Sequence, residues 1–514
     1  MAPADRSALR KWLGALAVFT GAVMGTLDTF VLYVATPHLR GVFSATASEI
    51  SWISTSYAAS ALVCMLISGW AAERFGRRRV YQSAIGVFLA ASVACGLTRS
   101  LELLVAVRVL QGGAAGVLLA VEMMILRQSF GPTELGKVIG VYGATTMVGP
   151  SLGPFLGGWI IDNLDWRAIF FINLPIGVLG FLLVQSFVAP DPPRAERAQA
   201  GVDWPGLVLL AVGMFSLIWL LERGDRLYWF ETRSNVALLW LACASLALFV
   251  AHELMTPRPV VHLRVLRVPE FRRVVVFNFA LYFLVTGTLF VLPIYMQELL
   301  RFSPTKAGTA LAPRALVMMV VFPLVGMLFR RVPPKLLVCA GLAAGLASAV
   351  LMSGFTHETG LHDMMLPLIL QGVAVALVLV PLTSVGLMSV DRADVPAASA
   401  LDSTVRQLGA SLGVAVFATL VTHFQLSNWG AVRHSVTVHN PLFYERFKRV
   451  NEFFMVRGTD DHTTLQSAYR LLSARVTQQV GVLTYHGIFE LVAAAFAVLL
   501  AAVVVTRLQG REAA

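Results

Sequence analysis

Fourteen apolar runs succeed one another along this 514-residue chain, most of them parted by short polar breaks. They fall at roughly 13–36, 51–72, 80–98, 101–126, 137–161, 167–188, 204–221, 235–252, 273–297, 305–329, 335–355, 364–390, 400–424 and 486–508. Each is close to the ~20 residues that cross a hydrocarbon core. A run of that length in lipid must satisfy its backbone hydrogen bonds within itself, so each is predicted to be a helix. Composition closes the other route: 57% of residues are apolar and 13% charged, too few to coat a soluble surface of this size. The expected class is an all-α polytopic membrane protein, its apolar surplus facing the bilayer. Runs seven and eight are the shortest, and losing both would leave twelve spans with the ends on the same side.

The formal charge of +11 does not mark a nucleic-acid partner, because the basic residues sit at the ends of apolar runs instead of on one folded face. There they orient helices. With a cytoplasmic N-terminus, the inner segments hold 22 lysines and arginines and the short outer ones 8. That bias predicts both termini in the cytoplasm. The stub MAPADRSALRKW leads into the first run without a small-residue cleavage site, so a retained first span is expected rather than a signal peptide. Cys64, Cys95, Cys243 and Cys339 lie within apolar runs and read as small core residues, with no metal or disulfide spacing.

The chain also repeats. Val109–Leu119 (VLQGGAAGVLL) matches Ile369–Leu379 (ILQGVAVALVL), placing Gln111-Gly112 and Gln371-Gly372 260 residues apart. Gly149 and Gly153 are echoed by Gly409 and Gly413. Both matches fall at the same place within a six-span set, spans 1–6 and 9–14. The expected organisation is an N-terminal six-helix bundle (1–200), two linker helices (201–255) and a C-terminal six-helix bundle (256–514) carrying an outer loop at 425–485. Internal duplication of this kind puts a substrate path between the halves, near the bilayer midplane.

Charges inside the spans are the candidate functional residues, since each is costly unless paired or used. Asp28 lies about 23 Å from the inner end of span one, and Arg108 about 10 Å from the outer end of span four. Their depths nearly coincide, so they are natural partners: a static ion pair, or a carboxylate that exchanges an arginine for a proton. Glu122 lies ~21 Å further along span four on roughly the same face, either as a second proton or cation site or as a glutamate snorkelling to the interface. Asp402 and Arg406, at i,i+4, are expected to satisfy each other. Arg314, after Pro313, has no local partner and is a cavity-lining candidate, alone or paired with a distant acid.

Two backbone patterns complete the set. Gly69-Trp-Ala-Ala-Glu73-Arg74-Phe-Gly76-Arg77-Arg78-Arg79 is a tight basic turn between spans two and three, where Gly76 serves the backbone and the charges pair across the bundle or simply orient the helices. Span five carries Gly140, Gly149, Gly153, Pro154, Gly157 and Gly158. Three of these glycines recur every fourth residue, a smooth stripe for close helix packing, and Pro154 is placed to kink it. In the 425–485 segment, Leu465, Ala468, Leu472 and Val476 keep a helical period beside Phe443, Phe447, Phe453 and Phe454. That segment could dock a partner, cap the outer mouth or rest on the membrane.

The 69–79 turn, the Arg108 pattern and the span-five glycines resemble three signature motifs of the major facilitator superfamily, the last being its antiporter motif. Leu27-Asp28-Thr29 through Pro37, Asp165-Trp166-Arg167, Phe170–Gly177, Ala312-Pro313-Arg314 and Arg406–Gly409, with fourteen spans, are similar to the EmrB/QacA-type drug:proton antiporters. The resemblance covers roughly residues 13–508. It implies proton-driven export with no cofactor beyond the proton gradient, rocking of two bundles, and a protonatable acid in span one, here Asp28. It further implies a bacterial inner-membrane location and a periplasmic membrane-fusion adaptor with an outer-membrane channel. Two departures stand out: Glu73 replaces the usual aspartate, and Phe30 and Tyr33 put bulk where span one is usually smaller.

The expected function is therefore proton-coupled export of hydrophobic or amphiphilic small molecules, with Asp28, Arg108 and Glu122 in coupling and Phe30, Tyr33, Gln111, Arg314 and Gln371 at the substrate cavity. A dedicated exporter of a fatty acid, lipid precursor or siderophore is the first alternative, and a non-transporting receptor or assembly subunit the second. No nucleophile–base set, metal cluster or phosphate loop suggests an enzyme.

Overall fold

The computed structural model describes residues 3–506 apart from 131–133, 135–137, 139, 140, 143, 144, 147, 190–202, 224–230, 257, 258, 260, 261, 330, 392, 393, 437–439 and 456–460. Among the described residues the regular structure is helical. The helices are α1 (Pro3–Val42), α2 (Ala47–Phe75), α3 (Arg77–Leu97), α4 (Leu101–Ser129), α5 (Val148–Asn163) and α6 (Ala168–Phe187). They continue with α7 (Trp204–Arg223), α8 (Arg233–Met255), α9 (Pro269–Ile294), α10 (Pro304–Leu328), α11 (Pro334–Ser353), α12 (Leu361–Met388), α13 (Val395–Ser435), α14 (Pro441–Met455) and α15 (Asp461–Val505).

Thirteen of these have the length and apolarity to cross a membrane. The remaining expected span is α5, of which 16 residues are described as helix. Local chemistry sets several ends: Thr46 and Glu49 form a capping box on α2, Ser100 and Ser303 cap α4 and α10, and prolines open α9, α10 and α11. A single residue, Gly76 at φ 98°, joins α2 to α3. A side chain there would be strained, which is why the turn needs glycine.

The expected loop at 425–485 is corrected. Helix α13 continues to Ser435, α14 follows as a separate amphipathic helix, and α15 begins at Asp461 and runs without a break into the last span. Hydropathy marks where a helix leaves the apolar layer, not where its hydrogen bonding ends. Phe447 of α14 meets Tyr469 of α15 with ring centroids 5.0 Å apart, so the aromatic stretch holds the two together. Cys243 is also exposed on α8 instead of lying in the core, while Cys95 is buried as expected.

The duplication is visible in backbone contacts. Gly149 and Gly153 of α5 lie against Thr26 and Phe30 of α1, and Gly409 and Gly413 of α13 lie against Phe279 and Phe283 of α9. Gly112 of α4 meets the Tyr57 carbonyl of α2, and Gly372 of α12 meets the Arg314 carbonyl of α10. The first set, α1–α6, and the second, α9–α13 with α15, thus share one packing plan. Two apolar clusters lie wholly within 15–188, and a third lies almost wholly within 274–503. Helix α7 packs where α2 of the first set approaches α9 and α13 of the second, through Leu210, Met214 and Ile218.

The sets are tied together at one end of the bundle. Arg40 donates through one nitrogen to both Glu298 oxygens at 2.7 Å, Gln297 donates to the Val34 carbonyl at 2.8 Å, and the Thr305 amide donates to Asp162 at 2.8 Å.

Candidate functional site

Five helices of the first set converge on Asp28. Arg108 donates to its Oδ2 at 2.5 Å, while Gln111 (2.9 Å) and Asn173 (2.8 Å) donate to its Oδ1. Arg108 also donates to the Ile53 backbone carbonyl and to the side-chain Oε1 of Gln111, and its guanidinium lies 4.1 Å from the centre of the Tyr57 ring. Ser92 accepts from the Gln111 amide at 2.8 Å. Asp28, Arg108, Gln111, Asn173 and Ser92 are all at most 3% exposed. A carboxylate this deep is tolerable because three donors surround it, one of them carrying a full positive charge.

Alongside lies a cavity of about 260 Å³ walled by both sets, including Thr29, Phe30, Tyr57 and Arg108 from the first and Tyr282, Gln407 and Ser411 from the second. Arg108 and Tyr57 line it while Asp28 does not, so the arginine and the ring stand between the carboxylate and the cavity. The cavity extends along α4 to Glu122, toward the end opposite the Arg40–Glu298 tie.

Glu122 is 1% exposed and accepts from the hydroxyls of Tyr81 (3.1 Å) and Tyr142 (2.8 Å). Snorkelling is therefore overturned: the side chain is held in the cavity wall by two phenols, with no basic partner among the described residues. Gly21 makes the space, since a Cβ there would sit 2.0 Å from the Tyr81 hydroxyl and 2.7 Å from Glu122. A carboxyl group without a cation, facing a cavity, can hold and release a proton.

The other expected residues fall as follows. Phe30 and Tyr33 line the cavity. Gln111 does not; it is sequestered in the Asp28 network, because its side chain turns into the α1–α3–α4–α6 core. Gln371 is 4% exposed, lies outside the cavity wall, and its side-chain Oε1 has no partner. Arg314 is 6% exposed and borders a separate small compartment.

Asp402 pairs with Arg406 and accepts from Asn278 at 2.6 Å. Arg77 donates to Gln128 of α4 at 2.7 Å and Arg78 to the Gln185 carbonyl of α6, so these two arginines of the turn tether helices of their own set. Arg74 lies exposed beside the Trp70 ring, and a Cβ at Gly69 would lie 3.9 Å from the tip of Met124. Gly140 and the Glu73 side chain lie outside the described residues.

Of the glycine series, Gly149, Gly153 and Gly157 face α1, whereas Gly158 faces Pro304 of the second set, with Gly308 answering against Pro154. Sequence reasoning missed Asn173, Ser92, Tyr81 and Tyr142. The first sits in the Phe170–Gly177 stretch already singled out, and depth arithmetic like that used for Arg108 would have brought it to Asp28.

Two helical sets sharing one packing plan, with a cavity between them and intramembrane charges on its wall, define a multi-pass membrane transporter. The chain belongs to the Major Facilitator Superfamily, whose family model matches residues 18–414. It is 30% identical to the multidrug export protein EmrB of Haemophilus influenzae, over 94% of this chain and 92% of that protein. It is 29% identical to the fatty acid resistance protein FarB of Neisseria gonorrhoeae, over 92% and 91%. A bacterial homologue of the human lysosomal transporter Spinster, solved in an inward-facing and occupied conformation, superposes with a TM-score of 0.61 at 17% identity, covering 98% of each chain. This last likeness concerns the fold alone.

Proposed function

We propose that this transporter exports hydrophobic and amphiphilic small molecules in exchange for protons, with the proton gradient as its energy source and no cofactor. The observation that carries the reading is the cavity between the sets, apolar over most of its wall, with Glu122 in that wall and Asp28 one layer behind Arg108. The relatives named for multidrug export and fatty acid resistance support it.

In this reading the protein lies in a bacterial inner membrane with both termini in the cytoplasm. The tied end then faces outward and the cavity opens inward. Substrate enters from the cytoplasm or inner leaflet, and rocking of residues 1–200 against 256–514 about the linker helices exposes it outside. A proton on Asp28 removes the charge that holds Arg108, freeing the arginine to move with the cavity wall, and Glu122 exchanges protons at the inner mouth. Helix α14 and the polar start of α15 are the natural place for a periplasmic adaptor leading to an outer-membrane channel.

The test is proton movement in proteoliposomes challenged with lipophilic cations, anions and neutral drugs. Substrate-dependent proton flux is expected from the wild type, and Glu122→Gln is expected to lower it by about tenfold or more while the protein stays folded, because both tyrosines can still bond an amide. Unchanged flux in that variant would remove Glu122 from the coupling path. Absence of proton flux with every compound would end the antiport reading.

A further inference from the structure

Arg314 is the one buried cation among the described residues that the site leaves unexplained. Arg108 has Asp28 and Arg406 has Asp402, but among the described residues no carboxylate lies within ion-pairing distance of Arg314, and its Nε has no hydrogen-bond partner. It is 6% exposed at the middle of α10. Arginine cannot shed its proton to escape such a place, so the charge persists unless something brought in compensates it.

Its surroundings point to what that is. Arg314 borders a compartment of about 10 Å³ shared by the two sets, with Pro154, Leu289 and Met318 in its wall. Phe30 and Tyr33, packed edge to face at 5.7 Å, belong both to this wall and to that of the main cavity. One layer of aromatic side chains therefore separates Arg314 from the cavity. As it stands the compartment has room for about one water, so a larger group reaches Arg314 only as that pair turns or the sets part.

The duplication explains the missing partner. By the shared register, Asp28 lies two residues after Thr26 and Leu281 two after Phe279; Arg108 lies four before Gly112 and Leu368 four before Gly372. The second set thus has leucines where the first has its buried acid and arginine. It keeps Gln371 where the first has Gln111, and the Gln371 oxygen is likewise without a partner.

We infer that Arg314 receives the carboxylate of substrates that carry a single negative charge on an apolar body. The inference rests on the export reading and names its substrate class. One guanidinium with no second cation beside it matches one charge, and its planar fork suits a carboxylate. The apolar wall suits the remainder. Glu122 argues less strongly for a cation, since a glutamate can neutralise itself by taking a proton and Arg314 cannot.

The experiment compares gradient-driven flux of deoxycholate, its methyl ester and tetraphenylphosphonium in proteoliposomes. Wild type is expected to move deoxycholate in preference to the other two. Arg314→Gln is expected to cut deoxycholate flux by about tenfold or more, the scale of a lost buried charge contact, with ester flux nearly unchanged. Arg314→Lys should restore part of it.

Equal loss of ester and acid in Arg314→Gln would make the arginine structural and overturn the inference. A wild type that moves the ester or the cation but not the acid overturns it while leaving the exporter reading intact. A wild type that moves none of these compounds overturns both.

Discussion

Asp28→Asn is expected to reduce gradient-driven export to background and to destabilise the protein by about 3–5 kcal/mol, the cost of leaving a buried arginine uncompensated. Asparagine can still meet Gln111 and Asn173, but it cannot neutralise Arg108 or carry a proton. Stability loss alone would not separate coupling from structure, so the informative variant adds Arg108→Gln. With both charges gone, stability should largely return, because replacing a whole buried pair is far cheaper than halving it. Export should not return, because the exchangeable proton is still missing. Thermal unfolding and proteoliposome flux on the same preparations read the two effects. If the double variant regains export together with stability, Asp28 and Arg108 are a structural pair and the coupling role falls.

Gly158→Ala should act differently from its neighbours in the span-five series. A Cβ at Gly158 would lie 2.3 Å from the Pro304 carbonyl oxygen, and one at Gly308 2.0 Å from that of Pro154. Both are backbone atoms of the opposite set, so the two helices must separate. An added methyl forced into such a contact costs about 1–3 kcal/mol. That cost applies only to the state in which this end is closed, and it shifts the population by roughly five- to 150-fold.

Labelling of a cysteine placed at Thr305 by an impermeant maleimide should therefore rise in Gly158→Ala relative to the same cysteine in wild type, and export should fall. Gly153→Ala meets Phe30 of its own set at 2.7 Å. It should lower the melting temperature and leave labelling unchanged. Equal labelling in the two alanine variants would show that Gly158 is packing only.

Much of this was legible in the sequence because the chemistry is one-dimensional there. Apolar run length gives the spans, and depth along a helix brought Asp28 and Arg108 to one level before any contact was known. What escaped was rotation. Gln111 lies within one turn of Arg108, yet its side chain points into the core and not the cavity. Glu122 lies five residues from Arg127, which suggested an interfacial glutamate, but Tyr81 and Tyr142 from distant stretches bury it. Those partners depend on which faces α3 and the stretch holding Tyr142 turn toward α4, and no periodicity within a uniformly apolar helix reports that. The segment at 425–485 escapes for a related reason: its polarity says that it leaves the membrane, while up to Ser435, over Pro441–Met455 and from Asp461 its backbone is helical.

The unbroken helix α15 turns that helicity into a mechanical statement. Its 45 residues leave about 36 Å of rod beyond the apolar stretch, with α14 fastened to its side. A rod continuous with a transmembrane helix is a lever whose fulcrum is the membrane. A tilt of only about 10° at the fulcrum sweeps its tip through about 6 Å. Any tilt of α15 between transport states is thereby expected to reach beyond the apolar layer as a displacement, read by a spin label at its tip, with no messenger other than the helix itself.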